Sequence, residues 1–500
     1  MNHSTSAPNF EPSLSEFLEE VNDYDLIAIQ AEFSCDTETP LSAYSKLSDQ
    51  KPAFLFESVV GGEQVSRFSF VGFGPRKVIS CDQKQCFITE TGLPDISFPT
   101  PEDPLSLVEK EMTGFRYRSR LRDGRFSGGA VGYLSYEYAR CVEKTVPLPE
   151  KDELGLPLLY FMITDMVLVF DHARQTLSII ANVSSKDDPT QAYKNACSRI
   201  SKTYEQLLSP SSLAPVALSE ITNIPQPDGN LSKDEFEERV EKVKEYVKAG
   251  DVIQTVLSQR FKIPYSGTST DLYRAIRAIN PSPYMFLLEG NDFSIVGASP
   301  EVHVRLQGDE VLIRPIAGTR KRGSTKDEDD ELEKDLLADE KEKAEHLMLV
   351  DLERNDISRV CRPGSVKVDE MMTIESYAHV HHIVSNISGK LKKNILPLDA
   401  IMAVFPGGTI TGCPKVRCME ILGELEKEGR GPYTGSIGYL THNGNIDFNI
   451  LIRTMLLEKE SLYFRAGGGI VADSIPQNET LETEAKANGM LRTVEMFSDE

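Results

Sequence analysis

Two rhythms of apolar and polar residues divide the chain. Across 52–183 the apolar residues fall in short runs rich in aromatic and β-branched side chains, at 54–56, 67–73, 128–138 and 160–170. Turn signals such as Gly61-Gly62 and Gly74-Pro75 separate them, which predicts strands. Asp171-His172-Ala173-Arg174 joins two apolar runs and predicts a hairpin loop; a helix follows at 190–208. Beyond 230 the spacing becomes helical. Ser232 and Glu235 form a capping box, Phe236, Val240, Val243 and Val247 a stripe, and Gly250 stands where a C-terminal cap belongs. Then come a strand at 252–263 and a hairpin within 293–316 turning at Gln307-Gly308-Asp309. A charge run at 326–335 reads as the start of a solvated helix. His442-Asn443-Gly444-Asn445 reads as a two-residue hairpin turn, and the last helix runs over 478–497.

These rhythms predict a disordered lead-in at 1–12, a β-rich domain at 13–208, a linker at 209–230 with four prolines, and a second domain at 231–500. One internal echo stands out. Gly129-Ala130-Val131-Gly132-Tyr133-Leu134 resembles Gly435-Ser436-Ile437-Gly438-Tyr439-Leu440, as if both were equivalent strands.

Charge narrows the function. A net charge of −23 over 500 residues argues against a nucleic-acid surface, yet leaves room for a local cationic pocket. No apolar run is long enough to span a bilayer, and the N-terminus has neither a signal core nor transit-peptide character, so a cytoplasmic protein is expected. The eight cysteines contain no C-x-x-C spacing and read as reduced thiols, without a disulfide or a zinc site.

The chemistry starts at 339–351, a helix whose Glu342, Glu345 and Leu349 share one face where polar residues give way to apolar ones. A carboxylate at such a border needs neutralising, and a hard cation such as Mg²⁺ does so with one or two carboxylates plus substrate oxygens. A second helix carries Glu479, Glu482 and Lys486 at the same spacing. It follows Ala466-Gly467-Gly468-Gly469, a glycine loop that lets backbone approach an anion.

Five motifs together resemble the chorismate-utilising enzymes, in particular the anthranilate synthase large subunits. They are Gly297-Ala298-Ser299-Pro300-Glu301, the run Arg314-Pro315-Ile316-Ala317-Gly318-Thr319-Arg320, the run from Glu345 to Leu352, the run from Gly408 to Lys415, and Asp473-Ser474-Ile475-Pro476 with Glu479 and Glu482. The resemblance implies an α+β fold, a large antiparallel β-sheet sandwich with helices packed outside and a site between the sheets. It implies Mg²⁺ on Glu345 and Glu482, with Glu342 and Glu479 on metal-bound waters. Glu301 resembles the general acid for the C4 hydroxyl and His382 the histidine of aromatisation. Tyr433 and Arg453 resemble the grip on the enolpyruvyl carboxylate, and Gly318, Thr319, Gly467, Gly468 and Gly469 the ring cradle. Lys486 adds positive charge; Thr409 and Lys415 contact the ring or support it. Family members that attack with water carry Lys where this chain has Gln254, and the aminodeoxychorismate branch carries Lys where it has Ala317. Both departures favour amination at C2 and anthranilate as product. Component I of aminodeoxychorismate synthase and a catalytically dead tryptophan sensor are the alternatives.

No glutaminase motif surrounds Cys413, so ammonia is expected free or from a glutamine amidotransferase subunit. Leu55-Phe56-Glu57-Ser58 resembles the family's tryptophan-binding motif with Phe56 in place of Leu, and Pro283, Tyr284 and Met285 resemble the opposite wall. The resemblance therefore implies feedback inhibition by L-tryptophan.

Overall fold

In the strand Ala53–Glu57, Ala53 and Leu55 point to one side and Phe54 and Phe56 to the other, and all four are buried. Tyr284–Glu289 and Leu159–Thr164 behave alike. Strands covered on both faces read as continuous apolar runs, which is why this chain shows so little strict alternation. Each fully buried Leu or Phe contributes roughly 1.5–3 kcal/mol relative to exposure.

The structure is a computed structural model that describes residues 8–58, 67–121, 126–186, 188–214, 225–377 and 380–496. Among these, two mostly antiparallel sheets of 13 and 12 strands face each other. Phe54, Phe70, Val167 and Phe286 of the first sheet meet Val131, Tyr133, Tyr160 and Ile437 of the second between them. The first sheet's outer face packs under the helices Leu14–Glu20, Pro40–Leu47, Pro189–Leu207, Ser269–Ile279 and Pro476–Glu495. Helices including Leu105–Met112, Glu340–Ser358 and Pro397–Val404 cover the second. The expected α+β sandwich with outer helices is the architecture found.

Both sheets run through both halves of the sequence. Tyr284–Glu289 pairs with Ala53–Glu57, and Ser436–Thr441 pairs with Gly129–Leu134. The internal echo is this second pair. The two similar strands lie side by side and antiparallel, with Gly132 directly opposite Gly438. A side chain on Gly132 would overlap Tyr160 and Phe161; one on Gly438 would overlap Asp447 and Phe448. Two equivalent glycines thus seat two equivalent phenylalanines about a local twofold.

Several expectations change. Phe10 packs on the core and Glu11 bridges to Gln30, so the lead-in is ordered from there; residues 1–7 and the Gly61-Gly62 turn lie outside the described residues. Asp228–Gly229, at the end of the expected linker, adds a short strand against Phe261 and Lys262. The turn at His442 is a three-residue loop, His442 to Gly444: Thr441 N still donates to Asn445 O at 2.8 Å, Gly444 N returns to Thr441 O at 3.0 Å, and Gly444 takes φ +85° to close it. The charge run forms a complete helix, Lys326–Ala338, anchored by the buried Leu336. Cys81 and Cys86 are joined in a disulfide, contrary to the expectation of reduced thiols throughout. Cys81 is the last residue of Lys77–Cys81 and Cys86 the second of Gln85–Glu90, directly opposed across the hairpin and fully buried. A search for metal spacing does not see a cross-hairpin pair. The other six cysteines are free.

Candidate active site

The strand Ser461–Ile470 runs antiparallel to Gln254–Pro264, with Gly467 opposite Ser258, Gly468 opposite Leu257 and Gly469 opposite Val256. The glycines expected in a loop are therefore strand residues. Thr454–Glu458 covers the strand's other edge only as far as Phe464, so the glycine stretch has a strand neighbour on one side alone. Each glycine admits a functional side chain. A Cβ at Gly468 would lie 3.4 Å from Glu479 Oε2 and 3.5 Å from Glu482 Oε1. One at Gly467 would lie 3.0 Å from Tyr433 Oη, and one at Gly469 would overlap the Gln254 amide.

The two acidic helices close over this strand. Glu340–Ser358 starts on an Asp339 cap, leaves Glu340 and Lys341 exposed and buries His346, Leu349 and Val350. Glu345 points inward, where its Oε1 accepts a hydrogen bond of 2.7 Å from Gln254 Nε2. Glu342 Oε1 receives Arg320 Nη1 at 3.4 Å, and its Oε2 lies 3.2 Å from where a Cβ on Gly318 would stand. Gly318 itself has φ +65°, a left-handed conformation that suits glycine. On Pro476–Glu495, Glu482 pairs with Lys486 at 2.7 Å, and the Lys486 ammonium donates to Gly467 O at 2.8 Å. Burial, then the neighbouring Glu345, raises the Glu342 carboxyl above its usual range. Burial raises Glu479 as well, with Glu482 adding to the rise and Ser474 and Lys341 opposing it. No three His, Cys, Asp or Glu side chains among the described residues form a ready-made metal cage. The carboxylates arrive instead as two oxygen-only pairs from two helices across a glycine strand. That donor set fits Mg²⁺, which keeps waters and takes ligand oxygens, better than a closed site.

The second sheet and its neighbours carry two buried titratable groups, Glu301 and His382. Glu301 follows the strand Phe293–Ser299, and its main chain is fixed by Ser299 Oγ at 3.3 Å and Ile450 N at 3.1 Å. Its side chain is 5 % exposed and its Oε1 has no hydrogen-bond partner. Burial pushes its carboxyl up to about 7, while the Thr409 hydroxyl and the Arg453 guanidinium act in the other direction. His382 is buried on the strand Val380–Lys390. Its Nδ1 lies 3.0 Å from Gly318 O and 3.0 Å from Thr319 Oγ1, and its Nε2 is buried with no partner. Burial lowers this imidazole to about 4, so it is neutral. A carbonyl can only accept, so the proton sits on Nδ1 and the lone pair on Nε2 is free. Arg453, at φ +50°, is desolvated beside Tyr377 and Glu301, while Tyr433 stands by Gly467 with the Arg430 guanidinium 5.8 Å from its ring. The Lys415 ammonium is bonded to Asp356 and Val404 O. His379 lies outside the described residues.

The signature of the family described as chorismate binding enzyme matches residues 30–492. The chain belongs to the chorismate-binding enzyme family. It is 42% identical over 490 residues to anthranilate synthase component 1 of Acetivibrio thermocellus, covering 97% of this chain and 99% of that one. It is 42% identical over 480 residues to the protein of the same name from Pseudomonas putida, covering 94% and 96%. Its fold matches the crystal structure of anthranilate synthase component I from Streptococcus pneumoniae with a TM-score of 0.76 at 33% identity, over 92% of this chain and 99% of that one. At 16% identity, the menaquinone-specific isochorismate synthase of Escherichia coli shares the fold with a TM-score of 0.71, over 96% and 98%.

This family member has a second polar cluster where its first sheet joins the two halves. Glu57, buried at the end of Ala53–Glu57, is opposite Met285. Its Oε2 accepts from Tyr273 Oη at 2.5 Å and faces Arg277 Nε at 3.2 Å. Ser58 Oγ next to it is buried without a partner. Pro283 is buried, and Tyr284 reaches across to the other sheet, donating to Asp447 Oδ1 at 2.9 Å and accepting from Arg305 Nη2 at 2.9 Å. The expected tryptophan walls are thus adjacent strands. Sequence reading singled out neither Tyr377 nor Arg430, which stand beside Arg453 and Tyr433 and carry no local signal of their own.

Proposed function

We propose that this protein converts chorismate and ammonia to anthranilate, pyruvate and water. The observation that carries the reading is the Gln254 amide donating to Glu345 at 2.7 Å, where water-attacking relatives place a lysine base. An amide cannot deprotonate water, whereas ammonia is nucleophilic without a base.

Arg453 and Tyr433 hold the enolpyruvyl carboxylate, and the glycine strand leaves room for the ring. Glu301, protonated up to about pH 7, gives its proton to the C4 hydroxyl, which leaves as water while ammonia bonds to C2, and the ammonium so formed gives up one proton to become the amine. The free Nε2 lone pair of His382 then takes the C2 proton. The enolpyruvyl C–O bond breaks, and the departing enol takes up a proton to give pyruvate. Glu345 and Glu482 would hold Mg²⁺, with Glu342 and Glu479 behind them, and the ion would supply positive charge for the ring carboxylate.

The component 1 relatives support a glutamine amidotransferase subunit as ammonia source. Glu57, Ser58, Pro283, Tyr284 and Met285 support feedback inhibition by L-tryptophan, which fits the first committed step of tryptophan biosynthesis in the cytoplasm. The test is purified protein with chorismate, ammonium and Mg²⁺. Anthranilate fluorescence and stoichiometric pyruvate are expected; accumulation of 4-amino-4-deoxychorismate would sink the reading.

A further inference from the structure

Arg430 is a buried cation that the reaction above leaves without a role. It stands in the loop after the helix Lys415–Glu426 and is 2 % exposed. A guanidinium carries five N–H donors in one plane, and here all five are used. Nε and Nη2 fork onto the two Glu426 carboxylate oxygens at 2.7 and 2.8 Å. Nη2 also donates to Val256 O at 2.7 Å. Nη1 donates to Ile410 O at 3.3 Å and to Thr434 Oγ1 at 3.2 Å. The guanidinium carbon lies 4.6 Å from the Tyr136 ring and 5.8 Å from the Tyr433 ring.

Val256, Ile410 and Thr434 belong to three separate segments of the site. Val256 is directly opposite Gly469 on the glycine strand. Ile410 follows Thr409, whose hydroxyl is buried without a partner. Thr434 follows Tyr433 and is β-branched at φ +61°, a conformation that such a residue keeps only where its surroundings hold it. Here Thr434 N donates to Leu451 O at 2.8 Å, and the hydroxyl held by Arg430 donates in turn to Tyr433 O at 2.6 Å. Glu426 extends the same frame to Ser258, directly opposite Gly467, accepting from its N and its Oγ at 2.9 Å each. Arg465, two residues before Gly467, donates to the same Oγ at 3.1 Å. Apolar side chains of similar volume often match a buried ion pair in stability. They cannot tie three chain segments together at fixed angles, as a guanidinium does.

We propose that Arg430 is the positioning residue of Tyr433. By bonding Thr434, Ile410 and Val256 at once, it locks the Tyr433 turn to the glycine strand and to the Thr409 turn. That sets the Tyr433 hydroxyl beside Gly467, where a Cβ would come within 3.0 Å of it, ready for the substrate carboxylate. Arg430 itself touches no substrate. The role rests on the carboxylate grip assigned to Tyr433 in the proposed function, and it is read through chorismate binding, which does not depend on the product formed.

Arg430→Lys keeps the charge and loses the fork. Chorismate is titrated by calorimetry with Mg²⁺ present and ammonium absent. Its Kd is expected to rise about tenfold, as for the loss of one hydrogen bond to a charged group. In a Tyr433→Phe background that bond is already missing, and the same substitution should change Kd by no more than about twofold. An arginine that only supports the fold would lower the melting temperature and the number of binding sites and leave the Kd of the folded protein unchanged. An unchanged Kd, or equal losses in both backgrounds, would overturn the proposal. Should Arg430→Lys not fold, Thr434→Val keeps the shape and removes only the hydroxyl that links Arg430 to the Tyr433 carbonyl. A several-fold rise in Kd that vanishes in the Tyr433→Phe background is then expected, and a wild-type Kd or an equal rise in both backgrounds overturns the role. A Tyr433→Phe protein that binds chorismate as tightly as wild type removes the grip assigned to Tyr433 and the positioning role with it. A weakened Tyr433→Phe protein with additive losses removes the positioning role alone.

Discussion

The Gln254 amide and the Glu345 carboxylate are joined by a hydrogen bond of 2.7 Å. The amide occupies the space that a side chain on Gly469 would take. The bond links the glycine strand to the first acidic helix and fixes which way Glu345 points. A charge-assisted hydrogen bond of this kind is worth roughly 1.5–3 kcal/mol. Gln254→Leu, similar in size but without a donor, is expected to raise the Mg²⁺ concentration for half-maximal rate by about tenfold. A Mg²⁺ titration of initial rates reads this; an unchanged midpoint would contradict it.

Glu345→Ala should abolish turnover while leaving the fold intact, because Glu345 is partly exposed at the site and outside the hydrophobic clusters. Circular dichroism and thermal melting check the fold, and anthranilate fluorescence across a Mg²⁺ titration checks activity. Activity that survives in this variant would remove the metal assignment.

Glu301 gives two linked pH effects. Its carboxyl is raised from 4.5 to about 7, so the free enzyme loses its acid, and kcat/KM falls, as pH rises through about 7. The protonated form is favoured in the folded state. That stability is fully present below pH 4.5 and lost as pH climbs through about 7, a total of about 3 kcal/mol. Glu301→Gln should lose about a hundredfold or more in kcat, yet lose less melting temperature than wild type between pH 5 and 8. Parallel melting curves against pH would contradict the buried-acid assignment.

Ser58→Ala should leave turnover and stability near wild type, because the Ser58 hydroxyl has no partner to lose. Tryptophan inhibition should weaken several-fold, and Met285→Thr should act in the same direction. Inhibition curves superimposing on wild type would refute the regulatory site.

Local features were readable in the sequence. Ser232 caps Glu235 and Gly250 adopts φ +83° where the pattern ended, since both signals lie within a few residues. The acidic helices were readable because charge at i and i+3 repeats in each. The glycines at 467–469 were misplaced in a loop, because their strand exists only through pairing with Gln254–Pro264 some two hundred residues upstream. Cys81 and Cys86 were misread because their contact depends on hairpin register.

The pairing of Gly129–Leu134 with Ser436–Thr441 has a consequence for how the chain is made. Some three hundred residues separate these partners, which at about 5–20 residues per second is roughly 15–60 s of synthesis. Through that interval the earlier strand has an unpaired edge and one apolar face without its sheet. Emerging chains of this protein are therefore natural clients for chaperones, and prematurely terminated ones are set to aggregate through that edge.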